Sequence, residues 1–234
     1  MMNLDAEVAR IQDEYSRRER ELPAGRYAWS RPVNLFFHHG IVRSCIRALA
    51  SHDLFPLTGC SIADVGCGTG TWLLEYLQWG AEPSRLAGID LQATRIEMAR
   101  RRLPTADLHA GNAACLPWPD ATFDLVSQFM LFSSVLRSPM KLEIATEMLR
   151  VLKPGGVILW YDFRYDNPRN RQVQGIEAAE IRSLFAPCPV DLTKVTLAPP
   201  LARAIVPLSL PLSHMLESVP WLCTHYVGIV TKPV

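Results

Sequence analysis

The chain has 234 residues, 49% of them hydrophobic and 20% charged, and a formal net charge of +1. This near-neutral balance argues against duplex nucleic acid as the main partner, because proteins that bind phosphate backbones usually carry a clear basic excess. The length and apolar content suit one well-packed α/β domain.

The N-terminal part of the chain predicts two helices. Residues 4–21 carry an apolar stripe at helical spacing, formed by Leu4, Val8, Ile11 and Tyr15. Pro23, Ala24 and Gly25 then end this helix. A second apolar helical pattern runs over residues 32–50.

Strands and helices alternate through the middle of the chain. The sequence predicts strands at 62–66, 86–90, 107–110, 123–128 and 157–163, and helices at 71–80, 92–102 and 140–151. This alternation is typical of parallel strands joined by crossover helices. Ligands bind such sheets outside the carboxyl ends of the strands.

The last third of the chain follows a different pattern. It predicts a helix over 173–185 and strands over 190–197 and 224–231. A proline-rich apolar insertion at about 199–222 separates the two strands. Packing on the domain is the simplest interpretation of this insertion, and contact with an apolar substrate or a membrane surface is the alternative.

The cysteines and the termini indicate the compartment. Six cysteines occur without a C-x-x-C pair or a histidine at metal-ligand spacing, so reduced thiols and no metal are expected. The N-terminus is polar rather than leader-like, and the apolar window at 201–216 is too short and too interrupted to span a bilayer. We expect a cytoplasmic protein, a monomer or homodimer, without a transmembrane segment.

The segment 62–72 carries the strongest functional signal. A β-branched run ends in Gly66, Gly68 and Gly70, and an apolar helical pattern follows. Glycines allow positive φ and close approach of a ligand to the backbone, and the next helix aims its unpaired N–H groups at the same place. The dinucleotide fingerprint G-x-G-x-x-G would need a third glycine at position 71, which is Thr71.

Four further segments agree with this loop in order, at residues 86–90, 111–118, 123–127 and 149–160. Together with an aspartate two residues before the first glycine, they resemble the motifs of class I S-adenosylmethionine-dependent methyltransferases. The resemblance covers roughly residues 60–165 and is closest to the branch that includes quinone-biosynthesis and natural-product enzymes.

The resemblance implies a Rossmann-like, doubly wound α/β sheet of seven strands, mostly parallel, with a C-terminal antiparallel hairpin. It makes residues 1–55 an N-terminal helical lid segment and residues 56–234 the methyltransferase domain. The insertion at 199–222 would then help to cover the substrate.

The resemblance also implies S-adenosylmethionine as cofactor and a small-molecule acceptor as substrate. Its cofactor-binding residues map onto Asp64, Gly66, Cys67, Gly68, Gly70, Asp90, Leu91, Asn112, Ala113 and Phe129. Asp90 would accept hydrogen bonds from both ribose hydroxyls. Asn112 departs from the family, which usually has an aspartate there, although its side-chain carbonyl can still accept a bond from the adenine amino group.

The catalytic residues are less determined by the sequence. A base is needed for an oxygen nucleophile of high pKa, and the candidates are His38, His39 and Asp162. Surface or packing roles are the alternative for each of them. His214 and His225 in the C-terminal part are further base candidates. Phe129, Met130 and Phe132 are candidates for the wall of the acceptor pocket. The N-terminal candidates for contact with the cofactor are Tyr15, Tyr27, Trp29 and Arg31.

The predicted function is methyl transfer to a small molecule, with O-methylation of an aromatic, lipid-like or glycosidic metabolite favoured. Methylation of DNA bases is disfavoured because the fourth strand is followed by Gln128, Phe129 and Met130 rather than by an Asn/Asp-Pro-Pro-Tyr segment. A nicotinamide-dependent oxidoreductase is one alternative, although no Tyr-x-x-x-Lys pair occurs. A non-methylating S-adenosylmethionine-binding protein or rearrangement catalyst is another.

Overall fold

The computed structural model describes residues 4–21, 25–26, 28–166 and 170–234, without the side chains of residues 4, 5 and 19. Several expectations therefore lie outside the described residues. These are the helix stop at 23–24, a role for Tyr27 and the segment 167–169.

Eight α-helices and seven β-strands form within these residues. The helices are α1 (Leu4–Glu21), α2 (Pro32–Ala50), α3 (Thr71–Gln78), α4 (Ala93–Arg102), α5 (Ser138–Val151), α6 (Ala178–Leu184), α7 (Pro199–Ile205) and α8 (Leu210–Glu217). The strands are β1 (Ile62–Val65), β2 (Leu86–Asp90), β3 (Asp107–Ala110), β4 (Phe123–Phe129), β5 (Leu152–Phe163), β6 (Val190–Leu197) and β7 (Cys223–Thr231).

The strands form one sheet in the order β3-β2-β1-β4-β5-β7-β6. All neighbours are parallel except β7, which runs antiparallel to both β5 and β6. The predicted doubly wound sheet with a C-terminal antiparallel hairpin is confirmed. None of the described helices has the length and apolar character needed to cross a membrane.

Helices cover both faces of the sheet. On one face, α2, α3 and α4 contribute the buried side chains Cys45, Leu49, Leu73, Tyr76, Ile96 and Ala99 to one apolar core. On the other face, α5 and α6 contribute Met140, Ile144, Met148 and Ile181 to a second core. The order of strands and helices brings the carboxyl ends of β1, β2, β4 and β5 to one edge, where ligands of such sheets bind.

The structure corrects three sequence-based boundaries. The predicted helix at 173–185 begins only at Ala178, because the N–H groups of Gln174 and Ile176 donate to the carbonyls of Ser133 and Phe163 rather than within a helix. The strand predicted from residue 157 begins at Leu152, which pairs with Phe123 before the ladder shifts register. The insertion at 199–222 contains α7 and α8, each with a proline in its first turn.

A buried carboxyl group joins the two central strands. Asp64 of β1 is 1% exposed, and its Oδ1 accepts a hydrogen bond of 2.7 Å from the Ser127 hydroxyl on β4. Burial raises the pKa of Asp64 to about 7, and the charge of Asp90 adds to the rise, whereas the bond from Ser127 opposes it. Asp64 therefore keeps its proton in the folded state under mildly acidic conditions.

We expect Asp64→Asn to change how stability depends on pH. Below about pH 7 the folded state holds a proton that the unfolded chain releases near its ordinary pKa of 3.8. Between these values the folded state binds more protons, so the wild-type free energy of unfolding falls as the pH rises. Asparagine removes this titration, and urea denaturation should show the variant gaining stability relative to wild type from about pH 4 to about pH 8. A constant difference over this range would contradict the raised pKa.

Candidate active site

The glycine loop between β1 and α3 is tied to the end of β2. The N–H groups of Gly66 and Cys67 donate to the carbonyl of Ile89 at 2.8 and 3.0 Å. The N–H of Gly68 donates to Oδ2 of Asp90 at 2.9 Å. Gly66, Gly68 and Gly70 all have positive φ, between 54° and 80°, which side chains other than glycine adopt only with strain.

A cavity of about 150 Å³ opens beside this loop. Six of the ten predicted cofactor residues line it: Gly66, Asp90, Leu91, Asn112, Ala113 and Phe129. The other four, Asp64, Cys67, Gly68 and Gly70, lie in or beneath the loop and are not part of the lining. The tertiary structure therefore brings the predicted set together around one space.

Two polar side chains of this set are held by the backbone. Oδ1 of Asp90 accepts from the Gln92 N–H at 2.9 Å, in addition to the bond from Gly68. Oδ1 of Asn112 accepts from the Ala114 N–H at 3.0 Å. Carboxylate and carbonyl oxygens have two lone pairs each, so both side chains retain acceptor capacity toward a ligand while being fixed in orientation.

The helix α1 lies over the cavity, and the sequence alone did not identify what holds it there. Arg10 donates to the Ser134 carbonyl at 2.6 Å and to Gln172 at 2.8 Å. Glu7, which is 3% exposed, accepts from Arg10 and from the Leu136 N–H. Burial raises the pKa of Glu7, but these hydrogen bonds outweigh it and leave the pKa below its ordinary value.

Side chains of α1 also enter the cavity lining. Ile11 and Tyr15 both line the space, and the Tyr15 hydroxyl is 3.2 Å from the Ser134 hydroxyl. The Arg95 guanidinium lies 4.5 Å from the centre of the Tyr15 ring. Ile11 and Tyr15 of the apolar stripe seen in the sequence of α1 thus face the candidate cofactor space.

An aromatic row extends from the cavity toward α2. Phe129 lines the cavity and stacks on Trp72, the second residue of α3, with ring centres 3.9 Å apart and planes 12° apart. Trp72 in turn faces His38 of α2 at 5.7 Å, and Trp29 meets the His38 ring edge-on at 4.5 Å. Trp29 is 56% exposed, so this row reaches solvent.

His38 is paired with a carboxylate that the sequence analysis did not select. Its Nε2 lies 2.8 Å from Oε1 of Glu75, and both side chains are mostly buried. Glu75 follows Trp72 by three residues on α3, so the two share one face of that helix. His39 is half-buried, and its ring centre lies 6.2 Å from the ring centre of His38.

Asp162, the third candidate base, lies within the sheet. It is fully buried and accepts from the N–H groups of Ser133 at 3.0 Å and Phe163 at 2.8 Å. Burial raises its pKa to about 6, and these bonds oppose the rise. Asp162 is outside the cavity lining and holds the short turn after β4 in place.

The other side chains singled out from the sequence have varied positions. Met130 lines the cavity with a positive φ of 64°, whereas Phe132 is fully buried against Trp160 and Phe185.

His225 is buried and stacked on Tyr161 at 4.8 Å, and burial lowers its pKa to about 3, so it is neutral. Arg31 caps α2, and His214 lies on α8 against Phe36.

The described residues contain no group of three or more His, Cys, Asp or Glu that could hold a metal ion.

Comparison with known proteins identifies the central part of the chain. Residues 62–156 match a family model described as a methyltransferase domain. Over 114 residues, the chain is 32% identical to a demethylmenaquinone methyltransferase of Listeria welshimeri, a match that covers 47% of each protein. The chain thus spans about half the length of the curated relatives it matches.

Solved structures agree on the fold. An S-adenosylmethionine-dependent methyltransferase from Archaeoglobus fulgidus superimposes with a TM-score of 0.58 at 14% identity, over 85% of this chain and 98% of that one. The [4+2]-cyclase SpnF superimposes with a TM-score of 0.57 at 18% identity, over 82% of both chains. Identities this low show a shared fold and do not define an activity.

The residues around the loop fit the cofactor of this domain type. A Cβ added to Gly68 would meet no atom within 4 Å, so the loop faces open space at that point, and Asp90 and Asn112 present acceptor atoms near it. The segments that carry these residues all lie within the matched region. Residues 62–156 of this chain are therefore similar to a methyltransferase domain, and the residues around the loop fit S-adenosylmethionine.

Proposed function

We propose that this protein transfers a methyl group from S-adenosylmethionine to a hydroxyl oxygen of a partly hydrophobic small molecule. The observation that supports the acceptor side is the His38–Glu75 pair, framed by Trp29 and Trp72 and joined to the cofactor cavity through Phe129. The bound cofactor supplies a methyl group already activated by a positively charged sulfur. The work left to this chain is binding, orientation and proton removal.

On the cofactor side, the proposal assigns binding to residues on the ends of β1, β2, β3 and β4. Asp90 and Asn112 offer acceptor atoms for the sugar and the base, while Gly68 leaves room for close approach to the loop. Leu91, Ala113 and Phe129 offer apolar surface. Asp64, Cys67 and Gly70 shape the loop from beneath rather than touching the ligand.

On the acceptor side, His38 is proposed as the general base. An ionised carboxylate only accepts hydrogen bonds, so the Glu75 contact assigns the proton of neutral His38 to Nε2 and leaves Nδ1 with a lone pair. Glu75 also stabilises the positive charge that His38 gains when it takes a proton. We propose a positioning role for Asp162, since both of its oxygens accept backbone N–H groups away from the cavity.

The chemistry of the acceptor follows from the side chains around His38. Trp29 and Trp72 offer aromatic faces that suit a planar, apolar molecule, and a hydroxyl on that molecule would meet the base. A glycosidic acceptor has less support, because Arg164, in the polar segment that follows β5, donates to the carbonyls of Pro220 and Cys223. The names of the curated relatives make demethylmenaquinone one concrete acceptor to test.

We also propose that α1, rather than the whole of residues 1–55, is the lid. The cavity beneath α1 is smaller than the roughly 300–1,000 Å³ of typical cofactor sites, so the cofactor needs α1 to move outward before it can enter. By contrast, α2 supplies Cys45 and Leu49 to the core and cannot swing away without exposing them.

Methyl transfer is tested with labelled S-adenosylmethionine and a panel of acceptors that contains demethylmenaquinone, simple phenols and a glycoside. Labelled product from an apolar hydroxyl compound, with cofactor binding confirmed by calorimetry against an NADH control, would support the proposal. Binding of S-adenosylhomocysteine with conversion of a substrate but no label transfer would favour a rearrangement catalyst instead. Binding of NADH alone would overturn the assignment.

Gly68→Val is expected to weaken binding of S-adenosylhomocysteine about 10- to 100-fold, because the side chain enters space that the ligand needs. Gly59→Val is a matched control, since Gly59 also has positive φ and open space around its Cβ position but lies before β1. Calorimetric titration of both variants separates ligand contact from backbone strain. Equal losses in the two variants would contradict a ligand beside Gly68.

His38→Gln is expected to lower kcat about 10²- to 10⁴-fold through loss of the base. Glu75→Gln should lower kcat less, because the base remains while its orientation and charge stabilisation weaken. Cofactor affinity should stay unchanged in both variants, which calorimetry checks. A large loss of kcat in His39→Gln with little loss in His38→Gln would assign the base to the neighbouring histidine.

Arg10→Leu is expected to raise the dissociation rate of S-adenosylhomocysteine about tenfold, because charge-assisted bonds that hold α1 closed are lost. Arg17→Leu is the control, since Arg17 lies on the same helix and pairs with Glu14 and Glu21 of that helix. Stopped-flow displacement measures both rates. Equal rates in the two variants would show that α1 does not retain the cofactor.

A further inference from the structure

The β6–β7 insertion presents an unusual outer surface. Seven large apolar side chains of this segment are exposed: Leu201, Leu208, Leu210, Leu212, Met215, Val219 and Trp221. Leu208 is 84% exposed and Trp221 is 85% exposed, so both stand in solvent almost completely. Soluble proteins scatter single exposed apolar residues over their surface, whereas a cluster in one segment marks a binding surface.

The inner side of the same segment is already occupied. Ala202 of α7 and Val206, which directly follows α7, pack with Phe36 of α2, and Leu216 and Leu222 join this small core. Ser213 of α8 is fully buried as well. The insertion therefore has two apolar sides, one used within the fold and one facing outward.

Arginines predominate among the charged side chains around this outer surface. Residues 199–222, all of them described, contain only two charged side chains, Arg203 and Glu217. Arg203 is exposed, whereas Glu217 is 16% exposed and bonded to Arg43 at 3.1 Å. Arg43 and Arg47 of α2 line a groove of about 860 Å³ that also borders α8 and Pro220. The apolar surface is thus rimmed by arginines.

We propose that this surface docks the protein onto a lipid bilayer that contains anionic lipids. The leucines and Met215 would enter the acyl region, and Trp221 would lie at the headgroup level, where an aromatic ring with one polar N–H is favoured. The arginines of the rim complement anionic headgroups. The proposal rests on the exposed surface alone and does not depend on the identity of the methyl acceptor.

The charge pattern favours a bilayer over a second copy of the chain. A two-fold dimer interface brings the same patch of both subunits together, so the arginine rim of one copy would face that of the other. The surface is also rich in leucine, which is under-represented among the residues that carry most of the binding energy of protein interfaces.

The position of the insertion connects docking to the rest of the molecule. Phe36, whose ring lies 5.1 Å from His214 of α8, is two residues from His38 on α2. Residues two apart on a helix do not face each other, so α2 meets the insertion on one side and the aromatic row on the other.

Flotation with vesicles of equal parts phosphatidylcholine and phosphatidylglycerol tests the proposal, with no cofactor added. Wild type should float with these vesicles and bind pure phosphatidylcholine less. The double variant Leu208→Glu/Trp221→Glu should lose about tenfold or more in partition coefficient. The double variant Met98→Glu/Leu142→Glu is the matched control, because both residues are 53% exposed but lie on α4 and α5. It should bind as wild type does.

Fluorescence provides a second readout that does not depend on weakened binding. Vesicles should shift the wild-type emission to shorter wavelength, and Trp221→Phe should remove most of this shift while still floating with the vesicles. Absence of wild-type flotation, or equal losses in the two double variants, would overturn the proposal. So would a wild-type dimer that only Leu208→Glu/Trp221→Glu dissociates, because the surface would then be a protein interface.

Discussion

The attachment of the glycine loop to the end of β2 is the constraint on which the candidate site depends. Gly66 and Cys67 donate to the Ile89 carbonyl, and Gly68 donates to the Asp90 carboxylate. Parallel pairing of β1 with β2 sets these distances, so the loop and the acid occupy one rigid edge. Positive φ at the three glycines lets the backbone of the loop make these bonds. Open space lies where a side chain at Gly68 would be.

Helix α2 links three regions that the sequence keeps separate. Its C-terminal half supplies Cys45 and Leu49 to the core over the sheet. Its N-terminal half presents His38 to Glu75 and Phe36 to the insertion. A rigid helix with these three contacts can hold a base beside the aromatic row while it supports an exposed apolar surface. The proposed catalytic and docking functions thus share one structural element.

The buried carboxyl groups differ according to their partners. Asp64 has one hydroxyl donor, Asp162 has two backbone donors, and Glu7 has an arginine and a backbone N–H. Desolvation dominates for Asp64 and Asp162, whose pKa values rise, while hydrogen bonds to Arg10 and Leu136 prevail for Glu7. The lowered pKa keeps Glu7 ionised at neutral pH, which suits a charged contact that holds α1 in place.

The sequence alone was enough to predict the alternation of strands and helices, the glycine loop and the polar ends of β2 and β3, because these depend on local periodicity and on glycine and proline at defined positions. It did not indicate that Gln174 and Ile176 would donate to distant carbonyls, which shortens α6. It also did not pair His38 with Glu75, 37 positions away, or Arg10 with Ser134. Such contacts arise where separate elements cross. Only the tertiary structure therefore decided that His38 rather than His39 is paired with Glu75, and that α1 covers the cavity.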